Sequence, residues 1–574
     1  MFFQKFLECK KFSLFANVNR ENSTNFSRYK GFQMSNEKKV RIQNPILRGF
    51  HADPSICMVN GEYYIANSTF EWYPGVELSR SKDLVHWTAV PSPLSEKRLL
   101  DMNGEKASCG IWAPCLSYSN GLFYLIYTNV RNWNFGTMKD CPNYLTTATS
   151  IEGPWSDPVF LNASGFDASM FHDDDGKHWY VNMEWDYRKT GPRQFSGILM
   201  QEYDVARKQL VGERKKIFTG SDIGMVEGPH LYKRNGYYYI AAAEGGTFYE
   251  HAISVGRSKN LEGPYELHPC NPLISSYNHP ELLLQRAGHG SWCSSIDGTK
   301  TYLVYLCGRP LPGTKDCVLG RETGLAEIIW KDDWPYVVQP DGSLQNTPPE
   351  YVEVPADTVK DTSAQSYPGD GHTHYTFENE DFLKDFKTLR TPLSEDRCSI
   401  KERPGFLRIK GGQSPWSFYE QSLLARRQES FVFTAETKME FEPNYFQQYA
   451  GLVYRYDEET QYVLQVTWNE EKGKVIQVNT IMPDNSFTQG MEIPIKQNVP
   501  VWLRLSVNYK TAVFSWSQDG KLFHEIRPVC DASKLSDEFH NEGFTGAFVG
   551  MFCVDTEFYK KHADFEYFNY LQES

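Results

Sequence analysis

Five stretches of this sequence share one grammar, and no other feature limits the fold as sharply. They are DPSICMVNGEYYIAN from Asp53, WAPCLSYSNGLFYLIYT from Trp112, DASMFHDDDGKHWYVNM from Asp167, EGPHLYKRNGYYYIAAA from Glu227 and HGSWCSSIDGTKTYLVYL from His289. Each opens on a polar or aromatic residue, followed by small residues or proline. An apolar strand comes next, then a turn ending in Gly61, Gly121, Gly176, Gly236 or Gly298, then an aromatic-rich strand. Asn-Gly and Asp-Gly are hairpin dipeptides, because the turn needs positive φ and glycine supplies it cheaply. The opener precedes its glycine by eight positions in the first unit and nine in the others, and successive units start 59, 55, 60 and 62 residues apart.

A hairpin recurring about every sixty residues predicts one antiparallel blade per unit, and blades packed around a channel make a propeller. Five units predict five blades over residues 41–350. The alternative is a sandwich whose hairpins resemble one another by chance. In a propeller the innermost strands face the channel, so equivalent openers meet near one mouth. Asp53, Trp112, Asp167, Glu227 and His289 are therefore expected to converge in space. Singly, each acid reads as a turn cap or a solvated side chain. Three acids at one repeat position read as a site.

Converging carboxylates beside aromatic rings suit glycoside hydrolysis. One carboxylic acid protonates the leaving oxygen, another carboxylate acts at the anomeric side, and the acid's pKa must be raised, for example by a neighbouring negative charge, to keep it protonated near neutral pH. Three carboxylates also suit calcium, but the spaced acidic loop of a calcium hand is missing, and HDDDG (His172–Gly176) reads as a solvated turn. Aromatics make up 15% of the 574 residues, and Lys+Arg 59 against Asp+Glu 72 leaves a net charge of −13. Rings without basicity fit a neutral, stacking ligand such as a sugar, or a strand-rich core, and argue against a nucleic-acid or anionic-membrane partner.

At these residues the chain resembles glycoside hydrolase family 43, of the β-xylosidase type with an added C-terminal sandwich. The motifs are NPILRGFHADPS, STFEWYPGVELSRSKDLVHW, GIWAPCLSY, GFDASMF, EGPHLYK, GGTFYEHA, AGHGSW and LGRETGLAEIIW, in family order from residue 44 to about 335, together with FVGMFCVDTEFYKKHADFEYFNY near the C-terminus. The resemblance implies that Asp53 is the general base that activates water and Glu227 the general acid. Asp167 would then be the third acid, which raises and orients Glu227. It implies inversion, with base and acid roughly 6.5–9.5 Å apart. Phe70 and Trp112 resemble rings lining the pocket, Arg321 the arginine that binds the terminal sugar, and Thr247 in GGTFYEHA a substrate contact. His289 resembles a channel histidine that in some relatives holds calcium through water; simple hydrogen bonding is the alternative. No cofactor is required, and a structural calcium in the channel stays open.

The stretch Gln339–Tyr375 is dense in Pro, Gly, Ser and Thr, and 351–375 is expected to be a linker. Strands return over 376–574, in FVFTAETKMEF, YAGLVYRYD, QYVLQVTW, VWLRLSVNY and TAVFSWSQDGKLF. They predict a two-sheet sandwich of jelly-roll or concanavalin-like type. In the family arrangement a sandwich loop closes one side of the pocket, and Phe544 and Phe548 in GFTGAFVGM are equal candidates for that loop or its support. A closed pocket implies exo action, against a sandwich that only stabilises or binds sugar by itself. Residues 1–40 are expected to be a disordered extension, with Met34 resembling a natural start.

The expected fold is thus all-β, and the expected activity is release of xylose from xylo-oligosaccharides or arabinoxylan fragments. An α-L-arabinofuranosidase and a non-catalytic xyloside-binding protein are the alternatives. A retaining fructan hydrolase lacks support, since its NDPNG and RDP motifs are missing. Twelve scattered cysteines without metal spacing read as reduced core thiols. MFFQKFLECKKFSLFANVNR offers no small-residue cleavage site after an apolar stretch, so a cytoplasmic location is expected. Oligomeric state stays open, a homo-oligomer included.

Overall fold

The computed structural model describes residues 38–132, 138–359, 371–483, 486–540 and 543–573. The expectation of an extension over 1–40 falls outside these residues, except at its end. Lys39–Gln43 is a strand, paired antiparallel with Tyr351–Pro355. Tyr351–Pro355 therefore belongs to the propeller side, although composition assigns it to the linker; its partner lies three hundred residues away, beyond the reach of local pattern. His372–Thr376 is likewise a sandwich strand, paired with His562–Gln572.

Among the described residues five antiparallel blades follow one another along the chain, four of them with four strands and the fourth in order with five. Their inner strands are Ala52–Val59, Gly110–Ser119, Ser169–His172, Glu227–Arg234 and Gln285–Ser294. Each packs beside its neighbours, and the fifth returns to the first, closing the ring. The Asn-Gly turns form as the dipeptides demand: Asn60, Asn120 and Asn235 have φ of 52°, 50° and 51°, and the following glycines are also positive. Aromatic residues pack between blades: Tyr232 stacks on Trp292 at 4.0 Å, and Tyr64 meets Phe123 edge-on at 5.7 Å. Much of the aromatic content is thus core.

Asn44 fastens first blade to last. Its side chain donates to the carbonyls of Leu325 (2.8 Å) and Pro349 (2.9 Å) and accepts from Leu325 N–H (2.8 Å). Thr323 Oγ1 donates to His51 O at 2.8 Å. The segment leading into Asp53 is therefore held by blade five before it enters blade one.

The C-terminal domain is a sandwich of an eight-stranded and a seven-stranded sheet. Val432–Glu440, in the outer sheet, alternates between half-buried and buried positions, as a one-sided strand should. The inner sheet differs. Gln448–Arg455 and Gln461–Asn469 are buried along almost their whole length. Leu452, Tyr454, Leu464 and Val466 face the sandwich core. Val453 and Val463, together with Phe548 and Phe552, join a second cluster shared with Phe50, Phe70 and Trp72 of the propeller. Both faces are apolar because each covers a different core. Trp72–Tyr73 also pairs with Thr388–Leu389 across the domains.

Candidate active site

Every inner strand enters the channel on a backbone irregularity. Asp53, Ala113, Asp167, Gly228 and His289 have φ of 48°, 38°, 55°, 54° and 33°. Register slips at the same level in four blades, between Ala52 and Ser55, Trp112 and Cys115, Glu227 and His230, and Gln285 and Gly290. A bulge re-aims side chains that would otherwise alternate across the blade, at a cost in strain. The five openers consequently line one cavity of about 270 Å3, which also takes in Phe70, Thr247, Arg321 and Phe544.

Asp53 is buried, and Ser68 Oγ donates to its Oδ2 at 2.6 Å. The Ser68 hydroxyl in turn accepts from Ala113 N–H at 2.7 Å, so blade two orients the carboxylate of blade one. Burial, and after it the Asp53 carboxylate, pushes Glu227 up to about 8, while Arg321 pulls it back. Burial holds Asp167 well above the carboxylate range, with Glu227 and Asp53 adding to it and the Gly228 N–H and Arg321 opposing. The Glu227 carboxyl thus retains a proton near neutral pH, while Ser68 aims its hydroxyl at Asp53. One site holds both an acid and a second carboxyl group held by a hydroxyl donor.

Rings enclose one end. Trp112 lies 5.9 Å from Phe70, 5.2 Å from Phe544 and 5.3 Å from Phe166, and Phe70 lies 5.8 Å from Phe544. Phe70 is pinned by reciprocal backbone bonds with Ile111 (3.0 and 3.1 Å), and a Cβ at Gly110 would fall 2.2 Å from Phe70 O. The pair Phe544 and Phe548 now separates. Phe544 lines the cavity. Phe548 does not: it is fully buried and stacked on Trp72 at 3.8 Å, so its place is in the domain interface and its assignment to substrate is corrected.

Arg321 is buried beside the Phe544 ring, 4.4 Å from its centroid. Its Nε and Nη2 have no hydrogen-bond partner, nor do Thr247 Oγ1 and His251 Nε2 on the same wall. Buried polar atoms left unpaired are costly, and hydroxyls of a ligand, which both donate and accept, would satisfy them.

The match to known proteins follows this geometry. Residues 42–335 fit the model of glycosyl hydrolases family 43, and 374–571 fit the beta xylosidase C-terminal concanavalin A-like domain. The chain belongs to glycosyl hydrolase family 43. A xylosidase/arabinosidase of Humicola insolens is 45% identical over 542 residues, covering 92% of this chain and 97% of that protein. A beta-xylosidase of Bacillus subtilis is 44% identical, covering 93% and 100%. The crystal structure of a xylan beta-1,4-xylosidase from Bacillus halodurans superposes with a TM-score of 0.87 at 47% identity, covering 93% of this chain and all of that one.

The family resemblance raises calcium at His289. His289 Nδ1 lies 3.6 Å from Asp53 Oδ1, and a Cβ on Gly228 would meet its Nε2 at 2.8 Å. Burial, the largest cause, and Arg321 lower its pKa, against Asp53. Calcium takes six to eight oxygens, whereas the described residues contain no cluster of three or more His, Cys, Asp or Glu able to hold a metal. A calcium at His289 would therefore have to take most of its oxygens from water.

Sequence reasoning missed Phe166, Trp185, His251 and Phe248, which also line the cavity. Phe166 and His251 sit inside the family motifs GFDASMF and GGTFYEHA, where their position was readable. It also missed Arg286, Asp537 and Glu538, which stand behind the wall.

Proposed function

We propose that this family 43 glycosidase removes single β-D-xylosyl residues from the non-reducing end of xylo-oligosaccharides with inversion, and acts on α-L-arabinofuranosides as a secondary activity. The observation that carries this is the meeting of Asp53, Asp167 and Glu227 from three blades in one cavity beside Arg321, whose Nε and Nη2 make no hydrogen bond. Asp53 takes the proton from the attacking water. Glu227, kept protonated by burial and by Asp53, gives its proton to the leaving oxygen, and Asp167 orients it. Arg321 and Thr247 bind hydroxyls of the terminal sugar. Phe544, Phe70 and Trp112 cap that sugar, which favours attack at a chain end over attack within a chain. Inversion is the family's stereochemistry, and it requires room for water between the two carboxyls.

The choice of xylose follows the names of the relatives and is tested by rate. We expect kcat/KM for 4-nitrophenyl β-D-xylopyranoside to exceed that for the α-L-arabinofuranoside by about tenfold, the discrimination that one misplaced substituent commonly produces. Borohydride-reduced xylotriose should yield xylose and xylobiitol first. A faster arabinofuranoside reverses the order of the two activities, and absence of turnover on both replaces catalysis with binding.

A further inference from the structure

Asp537 belongs to the sandwich, in the short helix Asp537–His540, yet its carboxylate is fully buried behind the propeller's sugar pocket. Oδ2 lies 2.9 Å from Arg286 Nη2 and 3.7 Å from Arg321 Nε. Oδ1 accepts from the Tyr456 hydroxyl. Arg286 is also fully buried. It gives Nη1 to Glu538 at 2.9 Å and spends Nε and Nη2 on Thr247 O at 3.1 and 2.9 Å. Glu538 in turn accepts from Cys317 N–H at 2.9 Å. One carboxylate from the second domain therefore stands between two arginines of the first. Arg286 fixes the Thr247 segment, and Arg321 faces the sugar.

The neighbouring backbones are fitted to each other. Ala547 N–H donates to Val318 O at 2.9 Å. A Cβ at Gly320 would fall 2.3 Å from Thr545 O, and one at Gly546 would fall 2.9 Å from Gly320 N. The segment that carries Phe544 is thus seated directly against the residue preceding Arg321.

We propose that Asp537 is a positioning residue for the sugar pocket, holding Arg321 and Arg286 in place from the other domain. Without this carboxylate, two guanidinium groups would face each other out of water, and their repulsion there is much stronger than at a surface. Arg321 has no hydrogen-bonded acceptor to hold its Nε instead, so it is the group free to move. This inference rests on Arg321 being a sugar-binding residue.

The test is the Asp537→Asn variant, with competitive inhibition by D-xylose as readout. The inhibition constant should rise by about 30-fold, as expected for breaking a buried charge pair. In an Arg321→Ala background the same substitution should change it by less than about threefold, because interaction through a shared partner disappears with that partner. Equal effects in both backgrounds would mean that Asp537 only supports the fold, and would overturn the proposal. If Asp537→Asn does not fold, Tyr456→Phe loosens the carboxylate without removing its charge. It should raise the constant by about fivefold in the wild-type background alone, and the same non-additivity decides. A crystal structure of whichever variant folds should place the Arg321 guanidinium more than about 1 Å from its present position, a shift that matters at such sites. An unmoved Arg321 overturns the proposal whatever the sugar. Failure of the wild-type protein to bind or cleave xylosides would instead remove the proposed function and leave this structural outcome standing.

Discussion

Asp53→Asn lowers kcat/KM for xylobiose by about 10³-fold or more, in the range general-base removal produces, with little change in melting temperature. Asn matches Asp in size, and its side-chain oxygen still accepts from Ser68 Oγ, so the bulge at residue 53 keeps its lining. What disappears is the anionic oxygen that takes the water proton. Circular dichroism and thermal melting alongside steady-state rates separate the two effects. Wild-type turnover by this variant would remove Asp53 from the mechanism, and a collapsed melting temperature would make its role structural.

Glu227→Ala has a large effect that depends on the leaving group. Xylobiose, whose leaving xylose would depart as a poor alkoxide, should lose about 10³-fold in kcat, whereas 2,4-dinitrophenyl β-D-xyloside should lose less than about tenfold, since its phenolate needs no proton. The pH profile gives the same assignment independently. Burial and Asp53 push Glu227 up to about 8, so wild-type kcat falls as pH rises through that value, and the limb vanishes in the variant with the activated substrate. The stability sign follows from the same shift. Native Glu227 keeps a proton that the unfolded chain releases from about 4.5. Stability therefore falls as pH rises from 4.5 to about 8, and the whole cost is present above it. Glu227→Gln should lessen that decline in melting temperature. Equal losses on both substrates would contradict the acid role.

The blades were legible because each is a local object. A hairpin needs its turn dipeptide and two flanking strands, all within twenty residues, and the repeat makes five such signals reinforce one another. The convergence of the openers was legible for the same reason: equivalent repeat positions occupy equivalent places around a ring. The bulges were not. Nothing in the sequence marks Ala113 for positive φ, since alanine does not prefer it. The doubly covered sandwich sheet also lay hidden. YAGLVYRYD reads as a strand, but only the propeller, placed against it by the chain's return, explains why Val453 is buried as well as Leu452. Phe544 and Phe548 stand four residues apart in one motif and end in different environments, one in the cavity and one on Trp72. Asp537 lies 216 residues from Arg321 with no motif around it, so its contact is visible only in three dimensions.

The central claim is direct displacement by water, activated by Asp53 opposite a protonated Glu227. Proton NMR of xylobiose mixed with the enzyme tests it most directly, by following the anomeric signals in the first minutes. α-Xylose appearing before mutarotation is the predicted result, because a single displacement inverts the β-linkage. β-Xylose appearing first would mean that a carboxylate attacks as nucleophile, and the assignment of Asp53 as a base would be wrong.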